Sequence, residues 1–386
     1  MSSISASKRA SGLITTDVVV VGAGIVGLSA AWRLAQRGLR VVVVDRGVPG
    51  REASWVAAGM LASATEAQFG DEDQLVLTLA GNERWDSFAA ELEAATGLTA
   101  GLRRCGTLHL ALDRDEAEAL RRLHRFQQEA GLPVEWVGPG RARELEPGLT
   151  PSCAGGIFSP REGEADPRQT CLALLRACEL AGVHVLAGDE VVEALVEGSR
   201  LRGVVSASGT RLEADHVVLA SGAWGAPWLP EEAQVPVRPV KGQIVNLVHP
   251  AGEQIAEHVV WTSGIYFVPR ADGRVTLGAT VEEKGFDRTV TAGGVHELLR
   301  EAYRAVPEVA ELTFVEAIAS FRPGTPDNMP LLGHGALDGL VVATGHHRNG
   351  ILLGPITGDI VSALIHGEEP PVPIARYAPD RFAVHA

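Results

Sequence analysis

The sequence lacks the features of a membrane or secreted protein. It contains no run of about 18 apolar residues, which a membrane-spanning helix would need. The nearest candidate, 351–365, is interrupted by Pro355 and Asp359. Residues 1–13 are polar and include no apolar segment of the kind found in signal peptides. We therefore expect a cytoplasmic protein without a membrane span.

Cysteine is also scarce. The chain has only Cys105, Cys153, Cys171 and Cys178. None of them forms a C-x-x-C pair, and none has histidine at metal-ligand spacing. We predict four reduced thiols and no metal site.

Positive charge is in deficit. Lys and Arg total 34 against 48 Asp and Glu, which gives a formal net charge of −14. This balance argues against nucleic acid and anionic membranes as main partners. The hydrophobic content of 46% is ordinary for a globular protein, and 386 residues are enough for two domains with sizeable cores.

Glycine, by contrast, is placed where it carries information. The apolar run 18–21 predicts a parallel strand that is buried on both faces. Gly22, Gly24 and Gly27 follow it with the spacing G-x-G-x-x-G. The first glycine permits a tight turn, the second lets a pyrophosphate approach the backbone, and the third lets helix and strand pack closely. The free N–H groups at the start of the following helix suit a phosphate.

An acidic residue completes this pattern. The helix is expected to end near Gly38, and a second buried strand, 39–44, ends at Asp45. A carboxylate at this position can accept hydrogen bonds from a ribose diol, and it should repel the 2′-phosphate of NADP. FAD and NAD both remain as ligands. Since the chain has one such fingerprint, we expect the electrons to come from an organic substrate.

The next segment, 46–64, is rich in glycine, alanine and serine. Small residues let the backbone lie close to a flat ligand. A flexible surface loop is the alternative, but Trp55, Val56 and Met60 would be costly to expose together. Gly222, in a Ser-Gly pair after a buried strand, is a second place where backbone can face a ligand.

The rest of the chain predicts an α/β fold in which a Rossmann-type domain is interleaved with a domain made of a mixed antiparallel β-sheet plus helices. We predict a turn at 143–145. The other predicted elements are strands at 102–112 (a pair), 134–137, 155–158, 183–186, 191–196, 201–207, 215–220, 244–248, 258–261, 265–269, 275–279, 315–321 and 340–343, and helices at 72–96, 115–130, 166–181, 295–305 and 351–366.

Six segments together resemble the D-amino-acid oxidase family of FAD-dependent amine oxidoreductases, and within it the glycine oxidase branch. They are VVGAGIVG with Asp45, ASWVAAGML (53–61), RPVKGQ (238–243), IYFVPR (265–270), FRPGTPDNMPLLG (321–333) and GHHRNGILLGPITG (345–358). The resemblance implies an FAD-binding domain at 14–80, 155–234 and 325–386, and a substrate-binding domain at 81–154 and 235–324.

The resemblance also implies roles for single residues. Arg322 would pair with a substrate carboxylate, Tyr266 would line the pocket with its hydroxyl near that carboxylate, and Arg348 would lie near flavin and substrate. A planar guanidinium suits a carboxylate because it can donate two parallel hydrogen bonds. The implied FAD-binding positions are Gly22, Gly24, Ile25, Val26, Gly27, Asp45, Arg46, Ala53, Ser54, Ala58, Gly59, Met60, Val191, Gly222, His346, His347, Arg348, Asn349, Gly350, Ile351 and Leu352.

The implied reaction is oxidative deamination of glycine and other small amines or D-amino acids, with molecular oxygen as electron acceptor. The products would be the 2-oxo acid, ammonia and hydrogen peroxide, and the pathway served would be thiamine (thiazole) biosynthesis. We expect non-covalent FAD, because no cysteine lies in the turn around His346, and a homo-oligomer. The alternatives are a D-amino-acid dehydrogenase that passes electrons to a quinone or other carrier, a flavin-binding subunit without turnover, and a plain NAD dehydrogenase. We interpret Lys241 as structural rather than as a catalytic base.

Overall fold

The structure of the protein is a computed structural model that describes residues 12–382. Within this range the chain forms two eight-stranded sheets with helices packed against them. The strands are β1 (Leu13–Val21), β2 (Val41–Asp45), β3 (Thr107–Ala111), β4 (Glu135–Val137), β5 (Gly155–Ser159), β6 (His184–Ala187), β7 (Val191–Glu197), β8 (Arg200–Ser206), β9 (Arg211–Leu219), β10 (Arg238–Val248), β11 (Val259–Trp261), β12 (Tyr266–Pro269), β13 (Arg274–Gly278), β14 (Thr313–Gly324), β15 (Leu331–His334) and β16 (Leu340–Thr344). The helices are α1 (Ile25–Gln36), α2 (Ala53–Val56), α3 (Glu72–Thr96), α4 (Arg114–Glu129), α5 (Pro139–Leu145), α6 (Pro167–Leu180), α7 (Ala292–Ala305) and α8 (Gly350–Ile365).

The first sheet has the order β15-β16-β9-β1-β2-β6, with β8 paired to β9 and β7 paired to β8. β1 runs parallel to β2 and to β9. Val18 and Val20 pack with α1 and α8, whereas Val19 and Val21 pack against the β7–β8 side. Both faces of residues 18–21 of β1 are therefore covered, which is why this part of the strand is apolar without alternation.

The second sheet has the order β14-β10-β13-β12-β11-β3-β5-β4. Its pairs are antiparallel except for β11 with β3. α7 packs on the β10–β13 part of this sheet, and α4 packs on β3 and β5. The predicted fold class, a parallel dinucleotide-binding sheet with a mixed antiparallel second sheet, is confirmed.

The predicted helix starts and ends are largely correct. Asp166 caps α6, where its carboxylate accepts hydrogen bonds from the backbone N–H groups of Arg168 and Gln169. α3 spans the predicted residues and ends at Gly97, which adopts a left-handed conformation. All four cysteines are free thiols.

Two local predictions were wrong. The segment 102–112 holds one strand, β3, instead of the predicted pair. Arg103, which precedes β3, makes only an isolated bridge to Glu164. The predicted turn at 143–145 is the last part of α5, a helix that starts with Pro139 at a favourable position and buries Ala142.

The division of the chain into domains stays a prediction. β5 pairs with β3 and β4 in the second sheet, and it lies in the range 155–234 that the resemblance assigns to the FAD-binding domain. Within residues 12–382, no helix is both long enough and apolar enough to cross a membrane.

Candidate active site

A cavity of about 350 Å³ lies where the two sheets approach each other. Its lining runs from the start of α1, through the segment 53–60, to the turn before α8 and on to strands of the second sheet. This volume lies within the range of ligand pockets, roughly 300–1,000 Å³. The lining therefore combines residues that the sequence predicted separately for a cofactor and for a substrate.

The glycines of the fingerprint lie in backbone contacts that leave no room for a side chain. Gly22 has φ 105°, and a Cβ there would lie 2.4 Å from the carbonyl oxygen of Ala220. A Cβ on Gly27 would lie 1.9 Å from the carbonyl oxygen of Gly22. Close packing of strand and helix thus requires glycine at both positions.

Asp45 lies at the end of β2, as predicted. Its carboxylate accepts hydrogen bonds from the backbone N–H of Ala23 at 2.7 Å and from that of Gly47 at 2.8 Å. An ionised carboxylate has about four acceptor positions, so hydroxyl groups of a ribose could still bind.

The segment 53–60 is held over the start of α1. The Ser54 hydroxyl accepts a hydrogen bond from the backbone N–H of Ile25 at 3.0 Å. Gly59, with φ 82°, packs so closely on Ala165 that a Cβ would lie 2.0 Å from its carbonyl oxygen. Val56 and Ala58 are buried. These contacts contradict the alternative of a flexible surface loop.

The turn before α8 carries two histidines that are neutral at ordinary pH. His346 is buried, and its Nε2 lies 3.0 Å from the Thr357 hydroxyl. Burial lowers the pKa of His346 to about 4. Burial first, and then the charges of Arg322 and Arg348, lower the pKa of His347 to about 4. The residues that start α8, 350–352, line the cavity, so the positive end of a 16-residue helix faces it.

Arg322 and Tyr266 lie together at the side of the cavity formed by the second sheet. The Arg322 Nη1 donates to the carbonyl oxygen of Thr280 at 3.1 Å. Desolvation raises the pKa of the Tyr266 hydroxyl, while the charge of Arg322 and a side-chain hydrogen bond with it act in the opposite direction. Among residues 12–382, no carboxylate lies within ion-pair distance of Arg322. The guanidinium is therefore available to bind an anionic ligand.

Two further glycines make room for this pair. A Cβ on Gly242 would lie 2.6 Å from Nη1 of Arg322, and a Cβ on Gly278 would lie 2.3 Å from the Tyr266 ring. Sequence reasoning assigned neither glycine a role. Gly242 lies in RPVKGQ, one of the segments that carry the family resemblance, so the sequence could have indicated that this glycine belongs to the site.

Arg348 lies at the mouth of the cavity with 43% of its side chain exposed. Its Nε lies 2.9 Å from a carboxylate oxygen of Glu66, and its Nη2 lies 3.9 Å from Asp71. Sequence reasoning missed Glu66 entirely, because nothing in the segment ATEAQF distinguishes it from a surface acid. Desolvation raises the pKa of Glu66, although the charges of Arg348 and Arg322 oppose this.

Most of the predicted site residues come together. Those that line the cavity are Gly24, Ile25, Val26, Ala53, Ser54, Ala58, Gly59, Met60, Gly222, Tyr266, Arg322, His346, His347, Arg348, Asn349, Gly350, Ile351 and Leu352. Those that do not are Gly22, Gly27, Asp45, Arg46 and Val191. The Arg46 guanidinium instead stacks on the Trp224 ring at 3.8 Å, and Val191 is a buried residue of β7.

These features fit a dinucleotide whose flat ring reaches the second sheet. The tight glycine turn at Gly22 and Gly27, with Gly24 at the cavity wall and the carboxylate of Asp45, suits the ADP half. The small residues at 53–60 and the start of α8 suit a flavin ring with Arg322 and Tyr266 beyond it. The fold and the site thus define a flavin-dependent oxidoreductase.

The chain belongs to the DAO family of FAD-dependent oxidoreductases, whose model matches residues 17–364. It is 36% identical over 366 residues to the glycine oxidase of Geobacillus kaustophilus (strain HTA426), covering 94% of this chain and 96% of that protein. The crystal structure of glycine oxidase from Geobacillus kaustophilus has a TM-score of 0.90 with 34% identity, covering 95% of this chain and 99% of that one. The chain is therefore an FAD-dependent oxidoreductase that is similar to glycine oxidases.

A second kind of relative is longer. The bifunctional protein ThiO/ThiG of Synechocystis sp. (strain ATCC 27184 / PCC 6803 / Kazusa) is 35% identical over 373 residues, which cover 95% of this chain. The match covers 54% of that protein, so the chain spans about half the length of this relative.

Proposed function

We propose that this protein catalyses the oxidative deamination of glycine and other small amines or D-amino acids to the 2-oxo acid, ammonia and hydrogen peroxide. The observation that carries the proposal is the pairing of Arg322 with Tyr266 at the wall of a cavity whose opposite side fits a flavin. A guanidinium that has no carboxylate within ion-pair distance among residues 12–382, and that lies beside a phenol hydroxyl, suits the binding of a carboxylate.

The residues of the chain orient and desolvate the substrate. Arg322 and Tyr266 hold its carboxylate, which fixes the position of the Cα–H bond relative to the cavity wall. His346 and His347 are neutral, so they add no charge that would compete for the carboxylate. Bound FAD would supply the acceptor for the hydride of the Cα–H bond and would return two electrons to oxygen. Hydrolysis of the product imine then gives the 2-oxo acid and ammonia.

The variant Arg322→Ala tests the role of the guanidinium. We expect KM for glycine to rise by about 10²-fold or more while FAD stays bound, because charge-assisted hydrogen bonds contribute about 1.5–3 kcal/mol each. The measurement is steady-state peroxide release, with flavin absorbance as the check on cofactor content. Arg176→Ala is the matched control, since Arg176 is an exposed helix residue paired with Glu179. A variant at 322 that bound glycine like the wild type would contradict the assignment.

A panel of glycine, sarcosine and D-amino acids would define the preferred amine. The alternative function is a D-amino-acid dehydrogenase that passes electrons to a quinone or other carrier. Peroxide release in air supports the oxidase, whereas turnover only with an artificial dye supports the dehydrogenase.

We further propose that the reaction supplies thiamine (thiazole) biosynthesis, and the similarity to proteins called ThiO/ThiG supports this. We propose non-covalent FAD, because none of the cysteines in residues 12–382 lines the cavity. Release of the flavin on denaturation would test this. We also propose that the protein is cytoplasmic and that it forms a homo-oligomer. Light scattering would test the oligomeric state.

A further inference from the structure

A fully buried lysine ammonium lies beneath the loop that borders the substrate side of the cavity. Lys241, in β10, has no exposed side-chain surface. Its Nζ lies 3.7 Å from a carboxylate oxygen of Glu282 and 3.5 Å from one of Asp287. Both acids belong to residues 279–291, which connect β13 to α7 and which we call the rim loop. A buried ammonium is costly unless it is paired, so this contact constrains the loop strongly.

The first part of the rim loop is also joined to β10 through the backbone. The N–H of Lys241 donates to the carbonyl of Glu282, and the N–H of Glu282 donates to the carbonyl of Lys241, both at 3.0 Å. The side chain of Gln243 donates to Glu282 at 2.6 Å and accepts from the backbone N–H of Thr291 at 2.8 Å. The loop is thus fixed to β10 at its beginning and at its end.

The same loop reaches the active site at two points. The carbonyl of Thr280 accepts the hydrogen bond from Arg322 Nη1 at 3.1 Å, and the carbonyl of Lys241 lies 3.5 Å from the same nitrogen. Val281 lines the cavity although 72% of it is exposed. The position of the loop therefore sets both the direction of the Arg322 guanidinium and the width of the pocket beside it.

The Lys241 side chain acts from the other face of the sheet. Successive residues of a strand point to opposite faces, and Gly242 is the position that packs against the Arg322 guanidinium. The lysine therefore does not reach the substrate. On its own face it meets Asp287, next to Phe286, whose ring packs on Phe321.

Glu282 is ionised in this arrangement. Burial alone would raise its pKa, but hydrogen bonds from Lys284, Thr280 and Gln243, together with the charge of Lys241, lower it to about 2. The Lys241 side chain thus faces the negatively charged carboxylate of Glu282 on the loop.

We propose that Lys241 is a positioning residue for substrate recognition: it fixes the rim loop, and through Thr280 and Val281 it sets the direction of Arg322 and the size of the pocket. The inference rests on the proposed function, because it assigns Arg322 to the substrate carboxylate. It predicts a selective loss of carboxylate binding when the charge of Lys241 is removed.

The variant Lys241→Met removes the charge and keeps the length of the side chain. We expect KM for glycine to rise about tenfold with kcat within about threefold, because the interaction lost acts on binding rather than on the chemical step. We also expect the kcat/KM ratio of D-valine to glycine to increase, since a loosened loop widens the pocket. Calorimetric binding of acetate, a carboxylate without an amine, should weaken by a similar factor.

Lys284→Met is the matched control. Lys284 also contacts Glu282, at 2.8 Å, but it is half-exposed on the outer side of the loop. We expect Lys284→Met to match the wild type in KM for glycine and in the kcat/KM ratio of D-valine to glycine. Equal effects of the two variants would overturn the proposal, as would an unchanged KM in Lys241→Met with full FAD content.

Two further variants complete the test. Where Lys241→Met folds, Lys241→Arg keeps the charge, and a KM for glycine that lies nearer to the wild-type value than to the Lys241→Met value supports the proposal. Asp287→Asn removes the charge of the more exposed of the two carboxylates that face Lys241. We expect the KM of this variant for glycine to be about threefold higher than that of the wild type. An unchanged KM in Asp287→Asn, when Lys241→Met is unfolded, overturns the inference. Wild-type protein that neither oxidises glycine nor binds acetate would instead refute the proposed function.

Discussion

The substitution Gly242→Ala tests how tightly Arg322, the proposed ligand of the substrate carboxylate, is held. An added Cβ would lie 2.6 Å from Nη1 of Arg322 and 2.9 Å from both Cζ and Nη2. Since non-bonded heavy atoms approach to roughly 3.5 Å, the guanidinium must retreat by about 1 Å. The clash is with the end of a flexible side chain, so the fold can absorb it, but the hydrogen bond to Thr280 and the substrate geometry cannot both be kept.

The expected effect is on substrate binding rather than on stability. A displacement of about 1 Å can cost on the order of 10²-fold in rate, which corresponds to about 2.7 kcal/mol. We expect kcat/KM for glycine to fall by about this factor, while FAD content and the unfolding temperature stay close to those of the wild type. The assay is peroxide release over a range of glycine concentrations, with thermal unfolding measured on the same preparation.

Gly293→Ala is the matched control for this experiment. Gly293 is an exposed residue of α7, and a Cβ there would have no neighbouring atom within 4 Å. We expect unchanged activity and a small gain in stability from the better helix former. If Gly242→Ala retained kcat/KM within about threefold of the wild type, the view of Arg322 as a tightly positioned ligand would be refuted.

Two other predictions concern the cofactor and the effect of pH. Gly27→Ala should yield protein without flavin, because the added Cβ would lie 1.9 Å from the Gly22 carbonyl oxygen and would force α1 away from β1. The flavin absorbance of the purified variant measures its FAD content, and full FAD content would contradict the prediction. Burial raises the pKa of Glu162 from 4.5 to about 7, although hydrogen bonds from Thr65, Ala64 and Thr107 oppose the shift. Between pH 4.5 and about 7 the folded protein therefore binds more protons at this group than the unfolded chain does, so the contribution of Glu162 to stability falls as pH rises through this window. Glu162→Gln should flatten the pH dependence of the unfolding temperature there, and identical slopes in variant and wild type would show that another group is responsible.

The sequence was sufficient for the parts of this protein that depend on local patterns. Residues 18–21 of β1 are apolar on both faces, the glycine spacing fixes a turn and a close helix contact, and Asp166 before Pro167 starts a helix. Each of these signals lies within a few residues of the structure that it specifies. The family motifs added Arg322 and Tyr266, which no local pattern would have brought together. The wrong assignments, at 102–112 and 143–145, fell in short segments where a strand and a helix end cannot be distinguished by periodicity.

Only the tertiary structure decided how the substrate side of the cavity is built. Glu66 faces Arg348, Gly242 makes room for Arg322, and Lys241 is buried beneath the rim loop, and in each case the partner is far away in the chain. Charge pairing and steric exclusion act between surfaces that meet only when the second sheet is formed. The sequence therefore determined the turn and the strand end at which we expect a dinucleotide, and the packing of distant strands determined the wall at which we propose that an amino acid is held.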